Sequence, residues 1–141
     1  VKEARSNAPP RPKSIGGDRL DLGLPQAQVD LIKAAASTGK PVIVVLVTGS
    51  AVLVEEWREE AGAILQTFYS GMEGGTALAR LLFGEVSPSG KLPFTVARQA
   101  GDYPFFDRDA RSITYDHWHG YAKLLRDGVE PRYAFGHGLS Y

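Results

Sequence analysis

The stretch Val42-Ile43-Val44-Val45-Leu46-Val47 decides the fold. It is a run of aliphatic residues, mostly β-branched, that stops at Gly49-Ser50. A short, continuous, β-branched run bounded by a turn signal reads as a strand apolar on both faces. Such strands belong to parallel sheets, where helices cover both sides. Working backwards, Gly39 and Pro41 stop a helix that begins near Pro25, since proline suits the first helical turn and glycine the end. Leu24, Gln28, Leu31, Ile32 and Ala35 are expected to form its inward face. Working forwards, residues 53–60 read as a short acidic helix around Trp57. Ala63-Ile64-Leu65-Gln66-Thr67-Phe68 reads as a second strand. The glycine-rich turn Ser70–Gly75 follows, then a helix over Thr76–Phe83, with Leu78, Leu81 and Leu82 on one side and Gly84 as its cap. From Ser87 onward the chain is expected to be irregular, rich in aromatic residues and glycine. The alternation of helix and strand predicts an α/β fold: a mostly parallel sheet flanked by helices, a partial α/β sandwich.

The first 23 residues are different in kind. Pro9, Pro10 and Pro12 remove backbone donors, so residues 1–23 read as a loop. A loop of that length in a compact protein is functional or disordered. The segment 24–141 carries the predicted core. The chain begins Val-Lys-Glu without a methionine or a signal-peptide pattern, and is expected to start inside a longer product.

Composition narrows the partners. Of 141 residues, 43% are hydrophobic and 23% charged, with 16 basic residues against 16 acidic ones. These proportions are those of a soluble globular domain. The charge balance offers no reason for a nucleic acid or an anionic membrane as partner. The absence of cysteine removes disulfides, thiolate nucleophiles and cysteine-ligated zinc.

Several motifs carry less than they promise. Gly84 to Lys91 resembles a phosphate loop, but five residues separate Gly84 from Gly90, and Leu92 stands where a magnesium-binding hydroxyl belongs. The turn Gly71–Gly75 opens a helix and has the form of an anion site, yet tight packing between strand and helix explains its glycines better. His117 and His119 flank Trp118 without the further ligands a metal site needs, and read as polar loop residues. No cofactor and no metal is called for. What remains is carboxylate chemistry, with Glu3, Asp18, Glu73, Asp107, Asp109, Asp116 and Glu130 as candidates. Cleavage of a glycosidic bond uses two carboxyl groups, one as nucleophile or base and one as acid, but spacing does not choose among the seven.

Read together, five segments resemble the second domain of family 3 glycoside hydrolases, which include many β-glucosidases. The first is Gly17-Asp18-Arg19 followed by Leu20, Leu22, Leu24-Pro25, Gln28 and Leu31-Ile32. The second is Lys40-Pro41-Val42 to Val47 with Gly49, Val52 and Trp57. The third is Ala63-Ile64-Leu65, Tyr69, Gly71, Glu73-Gly74-Gly75, Ala77, Ala79 and Leu82-Phe83-Gly84. Pro88-Ser89-Gly90-Lys91-Leu92-Pro93-Phe94-Thr95, and Pro131 with Phe135-Gly136-His137-Gly138-Leu139-Ser140-Tyr141, complete the order. The resemblance implies a retaining, exo-acting β-glycosidase. Its upstream (β/α)8 barrel would carry the nucleophilic Asp, and the α/β sandwich domain would supply the acid/base. It also implies that this chain holds neither the barrel nor the first strands of the sandwich. In that family the acid/base Glu precedes the Gly-Asp-Arg segment, often in a Glu-Ala pair, so Glu3-Ala4 marks Glu3 as the acid/base candidate. The stretch Pro9–Pro12 makes this loop longer than the family pattern, and Ala122 stands where many members have Arg.

Asp18 and Arg19 read first as a structural ion pair and second as substrate contacts. Trp57 is expected to pack its helix to the sheet. Trp118, on a polar loop, is the candidate platform for a sugar face. The resemblance also favours a periplasmic or secreted location. A second reading keeps the domain but not the chemistry: a carbohydrate-binding or interaction module. Its unpaired strand edges would invite another chain or another copy.

Overall fold

The computed structural model describes residues 21–106 and 111–141. Glu3, Asp18 and Arg19, and the carboxylates Asp107 and Asp109, lie outside the described residues. The first helix, α1, spans Gln26–Ala36 with Pro25 as its N-cap. It stops where expected. The hydroxyls of Ser37 and Thr38 donate to the carbonyls of Ala34 and Ala35 (2.8 and 2.7 Å), and Gly39 takes φ 71° to leave the helix.

The inward face of α1 differs from the expectation. Val29 and Ile32 are buried, while Leu31 is 69% exposed. Successive helical residues are about 100° apart, so one stripe cannot hold both Leu31 and Ile32 at its centre. The core selects the i, i+3 pair Val29 and Ile32.

Strands β1 (Ile43–Leu46) and β2 (Ala63–Gln66) pair in parallel, with Ile43 opposite Ala63 and Leu46 opposite Gln66. The register continues past the strands: the Gly62 N–H donates to the Val42 carbonyl (2.8 Å), and the Thr67 N–H to that of Leu46 (3.0 Å). Burial on both faces of β1 is not observed. Leu46 is buried, but Ile43 and Val47 are 48% and 57% exposed. Side chains alternate along a strand, so Ile43 and Val47 share the face opposite Leu46, and one face packs on the core while the other stays open; among the described residues β1 also has β2 as its one neighbour. An unpaired, aliphatic parallel edge is a template for another strand. The isolated 141-residue chain is therefore expected to self-associate, its sedimentation coefficient rising with concentration. A single monomeric species across the range would show that these edges are covered.

The crossover from β1 to β2 supplies the centre of the core. Val52, Val54 and Trp57 from this connection are buried against Val29, Ile32 and Leu46, with Leu24, Val44, Ala61, Ile64 and Tyr133 packed around them. The expected acidic helix is only a 3₁₀ turn, Arg58–Glu60, after the buried Trp57. Glu55, Glu56, Glu59 and Glu60 face solvent, as carboxylates must unless paired. The expectation that Trp57 joins its segment to the sheet holds.

Helix α2 spans Gly74–Leu82, starting two residues before the expected Thr76. A Cβ on Gly74 would overlap Ser70 Oγ, so close packing accounts for Gly74, whereas a Cβ on Gly71 or Gly75 would meet open space. Gly84 ends the helix at φ 76°.

The last third is more ordered than expected. It contains a 3₁₀ turn at Ala100–Asp102, a helix α3 at Tyr121–Arg126, and an antiparallel bridge between Val96 and Tyr133. The C-terminal residues lie along segment 87–92. Leu92 and His137 are joined by a backbone bond of 2.8 Å, and Gly136 donates to the Leu92 carbonyl at 2.8 Å. The Ser140 hydroxyl donates to the Pro88 carbonyl (2.7 Å). The Tyr141 hydroxyl donates to the Leu81 carbonyl (2.6 Å), satisfying a backbone acceptor at the end of α2. A Cβ on Gly138 would overlap the Gly90 carbonyl oxygen, so the two segments meet at backbone distance.

A bidentate ion pair crosses the fold. Arg132 donates to both carboxylate oxygens of Glu55, one of them at 2.8 Å, over 77 residues of sequence. The Arg132 hydrogen bond is the main reason the Glu55 carboxyl titrates below its usual range. A lowered folded-state pKa stabilises the fold above the unfolded value, about 4.3 for glutamate, and that contribution is lost as pH falls through the lower folded value. The stability difference between wild type and Glu55→Gln is expected to be full at pH 7 and to shrink on acidification below pH ~4. Denaturation midpoints of both proteins across this range measure it, and a pH-independent difference would refute the assignment.

Candidate functional site

Of the sequence-derived site residues, Trp118 is the one among the described residues, and its surroundings form the candidate site. Trp118 sits on the loop 115–119 that leads into α3. Asp116 shapes this loop from both ends of its own residue. Its Oδ1 accepts the Trp118 N–H at 2.7 Å, an Asx-type turn. Its carbonyl accepts a hydrogen bond from His119 Nδ1 at 2.7 Å, which places that ring's proton on Nδ1. Gly120 then takes φ 55°, a left-handed value that lets the chain turn into α3.

The loop gathers rings. The His117 ring lies 5.1 Å from that of Trp118 at 78°, an edge-on contact, and Tyr115 lies 6.2 Å from His119. The Arg126 guanidinium, from the last residue of α3, stands over the Trp118 ring at 5.6 Å from its centroid, within cation–π range. Trp118 remains 43% exposed. It is thus a braced indole with open surface, suited to the apolar face of a small amphipathic ligand.

The charges beside it are paired. Asp127 accepts from Arg126 Nε at 2.6 Å and from Lys123 Nζ at 2.8 Å. The hydrogen bonds from Arg126 and then Lys123 hold its carboxyl down at about 2. Lys123 also reaches the Asp102 carbonyl (3.3 Å). This ties α3 to the turn where Gln99 and Asp102 cap each other (Gln99 Nε2 to Asp102 Oδ1, 3.0 Å).

The other sequence candidates do not converge on this loop. Glu130 pairs with Arg98 (2.9 Å), an exposed ion pair, and Glu73 is the N-cap residue of α2. His117 and His119 are loop residues as read, engaged with Trp118 and Asp116. Sequence reading missed Arg126. Its ring partner lies eight positions earlier, across a helix start that no periodicity marked. It also missed Phe68, which follows β2 with φ 54°, an unusual value for a bulky residue. Phe68 meets Phe94 edge-on at 5.9 Å. Next to it, 68%-exposed Tyr69 packs against Gly49 after β1, at the carboxyl ends of the parallel strands, where α/β sheets place ligands. The signal available in sequence was the aromatic pair Phe68-Tyr69 at the end of the expected strand, which in the structure stops at Gln66.

Comparison with known proteins extends this geometry. Residues 3–141 match the glycosyl hydrolase family 3 C-terminal domain. The chain is 39% identical over 127 residues to a periplasmic β-glucosidase of Salmonella typhimurium, covering 87% of this chain and 17% of that protein. It is 44% identical over 125 residues to a putative β-xylosidase of Formosa agariphila, covering 89% and 16%. Its fold superposes on the crystal structure of a β-glucosidase from Bifidobacterium adolescentis with a TM-score of 0.80 at 38% identity, covering 91% of this chain and 20% of that one. The chain therefore spans 16–20% of the length of these relatives. It belongs to glycosyl hydrolase family 3, as a C-terminal domain of that family.

Proposed function

We propose that this chain is the C-terminal part of the α/β sandwich domain of a retaining, exo-acting β-glycosidase that releases terminal sugars from β-glycosides. The observation that carries the reading is the family match across residues 3–141, which includes Glu3 and every ordered motif. In this reading residues 1–23 form a loop that presents Glu3 as the acid/base, and residues 24–141 hold that loop and part of the substrate cleft. Trp118 contributes a sugar platform, and Asp18 and Arg19 approach the substrate from the loop. The nucleophile belongs to an upstream (β/α)8 barrel on the same polypeptide or a partner chain. A periplasmic or secreted location is supported by the Salmonella relative's name.

The chemistry explains why both parts are needed. A retaining mechanism uses two carboxyl groups about 5–5.5 Å apart, one attacking the anomeric carbon and one protonating the leaving oxygen, then activating water. A chain with only the second cannot form the glycosyl-enzyme. The purified 141-residue chain is therefore expected to leave an aryl β-glucoside unhydrolysed, while the same domain joined to its barrel turns it over. Turnover by the isolated chain above the buffer rate would overturn this division of labour. Exposed strand edges and the Trp118 loop also suit a second reading, a non-catalytic carbohydrate-binding or interaction module. A barrel-joined protein that binds cellotriose without cleaving it would favour that reading.

A further inference from the structure

Trp118 owes its position to contacts that the proposed reaction does not explain. Its backbone is set by Asp116 Oδ1, and its ring is covered by Arg126 from the far end of α3. Arg126 is itself held by Asp127. A guanidinium free to bind an anionic ligand would not be committed to a carboxylate at 2.6 Å. The local charges also balance: Arg126 and Lys123 face Asp127, and Asp116 lies near enough to Arg126 to act on its charge.

We infer that Arg126 is a positioning residue that holds the Trp118 indole as a platform, and that this platform takes a neutral sugar ring in preference to an acidic one. The inference rests on the reading of Trp118 as a sugar platform. The cation fixes one side of the indole and leaves the exposed remainder to meet the C–H face of a pyranose. With two cations answered by two carboxylates, the described residues around the ring offer no net charge to recruit a uronate, and bringing one against Asp116 and Asp127 adds like-charge repulsion.

The test uses the full-length protein, with cellotriose as the neutral probe and a trisaccharide carrying one glucuronic acid as the acidic probe. Arg126→Ala is expected to raise KM for cellotriose roughly two- to fivefold, the worth of one exposed cation–π contact, with kcat changed less than about twofold on the same grounds. Arg126→Lys is expected to recover most of the loss, because it restores the charge over the ring. The acidic trisaccharide is expected to show the higher KM, with no improvement at low salt. If Trp118→Ala leaves KM unchanged, the platform itself is wrong and the inference falls with it. If Trp118→Ala raises KM but Arg126→Ala does not, the platform stands and the role of Arg126 is refuted. Equal losses in kcat and KM, without rescue by lysine, would mark Arg126 as a purely structural residue. Preferential, salt-sensitive binding of the acidic sugar would overturn the charge argument.

Discussion

Trp57→Ala is expected to abolish cooperative unfolding of the domain. Trp57 is 1% exposed and heads the fully buried side chains. It is the largest member of a buried cluster drawn from α1, β1 and the crossover, so its removal leaves a void in the centre of that cluster. Truncating a buried tryptophan costs about 3–5 kcal/mol, because the lost transfer energy is compounded by a cavity that packed neighbours cannot fill. A natural domain holds only about 5–15 kcal/mol in total, and a two-stranded sheet with open edges sits at the low end of any such range. The indole Nε1–H is buried without a hydrogen-bond partner among the described residues. Trp57→Phe keeps an aromatic ring and removes that unpaired donor, so it is expected to lose much less than alanine. Urea denaturation followed by circular dichroism measures both variants. An alanine variant with an unshifted, cooperative midpoint would mean that the core lies elsewhere.

The second large effect concerns Glu3. In the full-length protein, Glu3→Ala is expected to slow hydrolysis of an alkyl β-glucoside about 10²- to 10⁴-fold, the usual worth of general acid–base catalysis. An aryl glycoside with a good leaving group should lose less at the first step, because its leaving oxygen needs little protonation. Azide should then restore turnover, since it attacks a glycosyl-enzyme without needing a base. For this role the Glu3 carboxyl must be protonated when substrate binds, which a neighbouring carboxylate in the assembled site would promote. Unchanged hydrolysis of the alkyl glucoside would remove Glu3 from the mechanism. The family assignment, which rests on residues 3–141 as a whole, would survive that result.

Much of the scaffold was legible because its signals are local. Pro25 starts α1 and Gly39 ends it, as one expects from a residue that cannot donate and one that tolerates positive φ. The aliphatic run before Gly49 is a strand, and Gly84 closes α2. Helix α3 was not legible. Six residues are too few to show a period or to hold a helix alone. This one persists where Lys123 is tied to Asp102 and Asp127, and where Leu124 is buried. The buried face of α1 was misread for a related reason: its sequence offers several apolar stripes, and the choice of Val29 belongs to what packs against it.

Trp118 shows the same divide at the candidate site. An aromatic residue on a polar loop could be picked out by eye, yet the guanidinium that covers its ring comes from outside its own segment. The alternation of helices and strands, the parallel character of the sheet and the ordered motifs of family 3 are all legible in the residues alone. Those depend on propensity, capping and spacing, which act within a few residues. Long-range packing alone set the partners that no segment announces: Arg132 clamps Glu55 across 77 residues, Tyr141 closes the end of α2, and Arg126 covers Trp118. Each of these pairs residues from separate segments, and such pairs meet only after the chain between them has been folded, at an entropic cost that no local pattern records.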